Sequence, residues 1–129
     1  MSVLFTESEK KISENWVGSK FEPLVSICCP TYNYESFIDD AIRGFLMQKT
    51  DFPFEIIIRD DASTDNTVNI LKKYKEKFPN IINLMLNNEN SYSKSIKIVP
   101  LIIKKARGRY IALCDGDDYW MDPNKLQEQ

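Results

Sequence analysis

The chain has 129 residues, 43% hydrophobic and 28% charged, with a formal net charge of -2 and no histidine. That length suits one domain that buries about two thirds of its unfolded surface without staples. The charge balance gives no general attraction to nucleic acid, and the lack of histidine excludes His-based catalysis, His-containing zinc sites and Ser-His-Asp triads.

Residues 1–22 read as an N-terminal arm, separate from a domain over 23–129. Thr6 and Glu9 have capping-box spacing, and Ile12 and Trp16 lie four apart on one face of a short helix. The apolar run LVSICCP stops at Pro30 and reads as a strand. SFIDDAIRGFLMQ then places Phe37, Ala41 and Phe45 on one stripe and Ile38, Ile42 and Leu46 on the next, which predicts a helix. Gly44 weakens that helix slightly. FEIIIRDD is a second strand, apolar on both faces and hence central.

STDNTVNILKKYKEKF predicts a second helix with Ile70, Leu71, Tyr74 and Phe78 inward and with Asp65 or Ser63 as its cap. IINLMLN is the third strand. In SYSKSIKIVPLIIKKARG, Ile96, Val99, Ile103 and Ala106 have helical spacing, interrupted by Pro100; Gly108 suits the helix stop. RYIALCD is the fourth strand. Strands alternating with helices predict βαβ units and a mostly parallel sheet with helices on both faces.

The three cysteines, Cys28, Cys29 and Cys114, all fall in apolar strand-like runs. An odd number without C-x-x-C spacing argues for buried thiols rather than a disulfide framework. The sequence shows no apolar run long enough to span a bilayer and no signal-peptide pattern. The expected location is the cytoplasm, with room for peripheral association at the inner face of the membrane.

Three of the four strands run into polar clusters: PTYN after the first, DDASTD around the end of the second, and DGDD after the fourth. In a parallel sheet these clusters share one edge, where ligands of α/β sheets bind. Carboxylates about 4 Å apart repel by roughly 4 kcal/mol at an effective dielectric near 20. They stay together only when solvated or bridged by a cation. Without His or a Cys cage, an all-oxygen site suits Mg²⁺ or Mn²⁺, and Asp115 and Asp117 flank Gly116, which permits a tight turn. A solvated acidic turn is the competing reading of that cluster alone. An EF-hand fails, because position six of a loop starting at Asp115 is Trp120 rather than Gly.

Tyr32 stands where an aromatic could stack on a base, or simply pack on the surface. Asp61 could accept from a base imide N–H or a ribose hydroxyl, or complement a helix N-terminus. Asp60 and Asp65 read as structural. No Walker A or GxGxxG pattern occurs.

Taken in order, VSICCPTYNYESFIDDAIRGFLMQ, FEIIIRDDASTDNT and ARGRYIALCDGDDYWMDPNKLQEQ resemble the nucleotide-sugar-binding half of inverting glycosyltransferases of family 2, with a GT-A, Rossmann-like fold. The resemblance covers residues 24–129. It implies transfer of a sugar from a nucleoside-diphosphate donor, UDP-linked, to a saccharide or lipid-linked acceptor in surface polysaccharide synthesis. It also implies that Pro30, Thr31, Tyr32 and Asn33 line the nucleoside pocket and that Asp61 contacts the base. Asp115, Gly116 and Asp117 match the D-x-D motif, with Asp117 the more direct ligand of Mn²⁺ or Mg²⁺, while Asp118 and Trp120 shape the sugar pocket. The family's general base lies well downstream of that motif. It is therefore expected beyond Gln129, and no residue here is assigned as the base. The expectation is a donor-binding half, incomplete at its C-terminus and with little transfer activity of its own. An uncovered edge at the fourth strand leaves room for a homodimer.

Three rival readings stand beside this one. A phospho-receiver domain needs its acid pair after the first strand, where this chain has Pro-Thr-Tyr-Asn. A nucleotidyltransferase needs a Gly- and Arg-rich first loop, which is missing. A non-catalytic nucleotide-binding or interaction module of the same fold stays open, with the paired acids speaking against it. Where many family members carry a Gly- and Arg-containing loop near the donor diphosphate, this chain has NENSYSKSIKIVP, whose Lys94 or Lys97 could reach a phosphate but read first as solvated; Arg59, where an apolar residue is more usual, has no account from sequence.

Overall fold

The computed structural model describes residues 8–18, 22–87 and 102–113. Among the described residues seven elements follow one another: α1 (Glu9–Ile12), β1 (Val25–Thr31), α2 (Ile38–Leu46), β2 (Phe54–Asp61), α3 (Thr67–Lys77), β3 (Ile82–Asn87) and β4 (Tyr110–Leu113). The four strands form one sheet in the order β3-β2-β1-β4, and every neighbouring pair is parallel. The strands match the expected runs almost residue for residue, because short β-branched segments between turns have few other ways to bury themselves.

Alternation along the strands divides the sheet into two unequal faces. Ile27 and Cys29 of β1, with Ile56 and Ile58 of β2, face the large core that α2 and α3 cover. Ile38, Ile42, Phe45 and Leu46 of α2 are fully buried there. Each such side chain stabilises by about 1.5–3 kcal/mol, which outweighs the roughly 1 kcal/mol propensity cost of Gly44. Leu71, Tyr74 and Phe78 supply the α3 side, and the Tyr74 hydroxyl donates to Asp39 of α2. Cys28 and Ile57 point the other way, into a small cluster closed by Ile102, Met85 and Ala106.

Several local expectations are corrected. Phe37 is the N-cap of α2 rather than part of its inner stripe and is 52% exposed, because the helix begins one residue later. Ile103 is exposed while its neighbour Ile102 is buried, so Ile102 rather than Ile103 faces inward, whereas Ala106 packs inward as expected. Ile96, Val99 and Pro100 lie outside the described residues, as do Lys94 and Lys97. Gly108 is not held by a left-handed conformation. A Cβ there would lie 2.7 Å from the Ser26 nitrogen and 2.8 Å from the Val25 carbonyl carbon, so close approach to β1 demands glycine.

The arm is docked through specific contacts. Ser8 caps α1 by accepting from the Lys11 N–H, and Thr6 lies outside the described residues. The Glu9 carboxylate reaches across the chain to accept from the Asn80 backbone N–H (3.0 Å), Asn80 Nδ2 (2.7 Å) and the Ile81 N–H (3.2 Å). Trp16 stands beyond the end of α1 and packs edge-on against Phe54, with ring centroids 5.2 Å apart. No described helix is long and apolar enough to cross a membrane.

Candidate functional site

The strand order fixes where a ligand can sit. From β1 to β2 to β3 the chain steps in one direction across the sheet; β4 then returns to the far side of β1. The reversal lies between β1 and β4, and sheets of this type bind ligands beyond the carboxyl ends of the strands at such a point. At that edge β1 ends in Thr31, β2 in Asp61 and β3 in Asn87. The last described residue of β4, Leu113, pairs with Cys28. Asp115, Gly116 and Asp117, with Asp118 and Trp120, lie outside the described residues. So does the rest of the segment to Gln129, and the expectation that the general base lies past Gln129 is therefore untouched by the geometry.

Asp60 and Asp61 are adjacent, fully buried and part of a strand, so they point to opposite faces. Asp60 is level with Thr31 of β1. It accepts from Thr31 Oγ1 (2.9 Å), the Ser63 backbone N–H (2.9 Å) and Ser63 Oγ (2.5 Å), so its charge is well satisfied. Asp61 faces the other side, level with Asn87, whose Nδ2 makes a long 3.5 Å contact to Oδ1. The two acids thus lie on opposite faces of β2, with Asp60 bonded to Thr31 and Ser63.

Beyond the strands, the loop after β2 grips the loop after β1. Three consecutive backbone N–H groups of the first loop donate to side chains of the second. Asn33 donates to Ser63 Oγ (2.9 Å), Tyr34 to Thr67 Oγ1 (2.9 Å) and Glu35 to Asp65 Oδ2 (3.2 Å). In return, Asn33 Oδ1 accepts from the Thr64 N–H at 2.8 Å. Thr67 Oγ1 passes its own hydrogen to Asp65 Oδ1 at 2.5 Å, and the Thr67 N–H donates to the same oxygen at 2.9 Å.

Asp65 therefore serves the start of α3 from one position upstream of the N-cap, Asn66, which has no side-chain capping bond of its own. Desolvation works to raise the Asp65 pKa, yet the hydrogen bonds from Thr67 and Glu35 prevail and hold it below the ordinary carboxylate value. Two non-glycine residues sit in the left-handed region beside this ladder, Asn33 at φ 51° and Ala62 at φ 62°. Asparagine tolerates that conformation, whereas for alanine it costs about 1–2 kcal/mol, offset by the bonds around it.

The structure thus gathers Pro30, Thr31, Tyr32, Asn33 and Asp61 at one edge of the sheet. Pro30 and Tyr32 are half-buried, Thr31 and Asp61 are buried, and Asn33 is exposed. Sequence reasoning missed the part played by Thr64 and Thr67, and gave Ser63 only a capping role. Their partners lie about 30 residues away along the chain, so no local pattern announces them. Among the described residues, no group of three or more His, Cys, Asp or Glu could hold a metal ion. Asp60 and Asp65 are committed to hydrogen bonds.

The opposite edge carries a second polar centre. Glu55, near the start of β2, is 1% exposed and accepts from Ser26 Oγ (2.5 Å), Asn83 Nδ2 (3.1 Å), the Arg107 backbone N–H (2.7 Å) and Arg107 Nε (3.1 Å). Ser26 Oγ also accepts from the Gly108 N–H at 2.8 Å. This clasp ties the chain entering β4 to β1, β2 and β3, at the end of the sheet away from the ligand edge.

The family profile described as Glycosyl transferase family 2 matches residues 26–129. An uncharacterized protein of Mycobacterium tuberculosis (strain ATCC 25618 / H37Rv) is 44% identical over 106 residues, which cover 81% of this chain and 30% of that protein. The putative teichuronic acid biosynthesis glycosyltransferase TuaG of Bacillus subtilis (strain 168) is 38% identical over 111 residues, covering 86% of this chain and 42% of TuaG. The crystal structure of Staphylococcus aureus TarS 1-349 in complex with UDP-GlcNAc superposes with a TM-score of 0.66 at 31% identity, covering 81% of this chain and 29% of that one. The chain spans less than half the length of each of these proteins.

Proposed function

The chain belongs to glycosyl transferase family 2, and from that membership we propose that it forms the donor-binding part of an enzyme that moves a sugar from a nucleoside diphosphate, UDP in the first instance, to an acceptor hydroxyl with inversion. The acceptor is a saccharide or a lipid-linked saccharide, in the assembly of a surface polysaccharide at the cytoplasmic side of the membrane. The observation that carries this reading is the cross-linked pair of loops at the β1 and β2 carboxyl ends, beside the reversal of strand order. The likeness to TuaG and to a TarS crystal structure containing UDP-GlcNAc supports it.

In this reading Pro30, Thr31, Tyr32 and Asn33 form the nucleoside wall. Tyr32 stacks beside the base, and Asp61 accepts from the imide N–H of a pyrimidine. Asp117, helped by Asp115, would hold Mn²⁺ or Mg²⁺. A divalent cation, when bound, supplies Lewis-acid stabilisation of the negative charge that grows on the departing diphosphate. Attack by the acceptor hydroxyl on the face opposite the leaving group needs a general base, a role assigned to no residue up to Gln129.

Calorimetric titration with UDP, with and without Mn²⁺ and repeated with Asp117→Asn, tests the proposal. The expected result is metal-dependent binding that the substitution abolishes. Failure of both UDP and GDP to bind the unmutated chain in the presence of Mn²⁺ overturns it.

A further inference from the structure

We propose that Asp60 and Asp65, which the donor reading leaves unused, are positioning residues for nucleotide binding: acting through the hydroxyls of Ser63 and Thr67, they fix the backbone of 33–35 and with it the Tyr32–Asn33 wall. The inference rests on the nucleotide reading above and adds to it how the pocket wall is held.

A serine or threonine hydroxyl can donate or accept in several directions. Here each hydroxyl gives its hydrogen to a carboxylate, Ser63 to Asp60 and Thr67 to Asp65, both at 2.5 Å. The short distances are those of charge-assisted O–H···O⁻ bonds. With the hydrogen committed, a lone pair is left facing the neighbouring loop, and there it meets the N–H of Asn33 or Tyr34. Asp65 holds the next N–H, that of Glu35, directly. The two acids therefore set the polarity of the whole ladder.

The ladder differs from a core contact in two ways. Its members on the first loop, Asn33 and Glu35, are exposed, and the members buried on the second, Asp60 and Thr67, are polar, so breaking it uncovers little apolar surface. It also joins two loops that each carry a non-glycine residue at positive φ, Asn33 and Ala62. Holding such loops in place before a ligand arrives is preorganisation, and its loss shows in affinity more than in fold.

The test uses the full chain carrying Ser63→Ala with Thr67→Val, which removes both hydroxyls and leaves the acids in place. Ser63→Thr is the conservative variant, and Glu55→Gln, at the far edge of the sheet, is the control for lost stability alone. UDP affinity in the presence of Mn²⁺ is measured well below the melting midpoint, together with amide hydrogen exchange at 33–35. If the binding-ready loop population falls to a tenth, affinity falls about tenfold in the double variant, with faster exchange at 33–35. Ser63→Thr stays within about threefold of the unmutated chain, and Glu55→Gln lowers the melting midpoint while affinity stays within about twofold.

A double variant that binds UDP as tightly as the unmutated chain overturns the inference alone. So does a loss of affinity that merely tracks the melting midpoint across all variants. An unmutated chain that binds neither UDP nor GDP overturns the nucleotide reading, and this inference with it.

Discussion

Replacing Glu55 by alanine is expected to be the most damaging polar substitution at the amino edge of the sheet. Glu55 is 1% exposed and accepts four hydrogen bonds, from Ser26, Asn83 and twice from Arg107. Alanine leaves the Ser26 hydroxyl and the Arg107 N–H without their acceptor. A buried donor left without a partner costs about 1–3 kcal/mol, and here two donors, the Ser26 hydroxyl and the Arg107 N–H, lose theirs. A loss of about 3 kcal/mol is therefore expected.

Arg107→Ala is the informative comparison. The Arg107 side chain is 45% exposed and reaches Glu55 through Nε, while the backbone N–H bond survives the substitution. A solvent-screened pair of that kind contributes at most about 1 kcal/mol. In urea unfolding with a slope of about 1.5 kcal/mol/M, the midpoint should fall by roughly 2 M for Glu55→Ala and by well under 1 M for Arg107→Ala. Equal shifts for the two variants would refute the reasoning, because the surface ion pair and not the buried network would then carry the energy.

Two further substitutions probe the same edge. Gly108→Ala forces a methyl to within 2.7 Å of the Ser26 backbone nitrogen. It should cost about 2 kcal/mol, seen as a melting midpoint lower by roughly 8 °C, and an unchanged midpoint would show that β1 yields easily. Burial, reinforced by the negative charge of Glu55, pushes the Cys28 thiol from 9.0 up to about 11, so it should resist a thiol reagent at pH 8 in the native protein and react once unfolded. Because the folded value is the higher one, the stability from this group is fully present below pH 9.0 and is lost as pH rises through about 11; Cys28→Val should flatten that alkaline loss, and an unaltered pH profile would contradict it.

The parts of the fold legible in the sequence are those written as periodicity. LVSICCP, FEIIIRDD and the stripe of α2 declare their elements because burial selects apolar residues at fixed spacing. Glu55 went unread for the opposite reason. Its partners come from residues 26, 83 and 107, and a single acid inside an apolar run gives no hint of a network assembled from three other segments. Gly108 carried the signal of a helix stop, although its constraint is the backbone of β1. At the ligand edge, the acids and the aromatic were legible as residue types that suit a nucleotide, whereas the hydroxyls that hold them across about 30 residues were not.

The two neighbouring aspartates make β2 sensitive to parity. One peptide separates the residue that braces the loops from the residue that faces the other side of the sheet. A deletion or insertion of one residue between Phe54 and Ile56 would exchange those positions and, at the same stroke, turn Ile56 and Ile58 out of the large core. Insertions or deletions of two residues preserve the alternation and only change the strand's length. Chain-length variation within this strand should therefore come in even steps, and a library that samples single-residue gaps here would discard fold and site together.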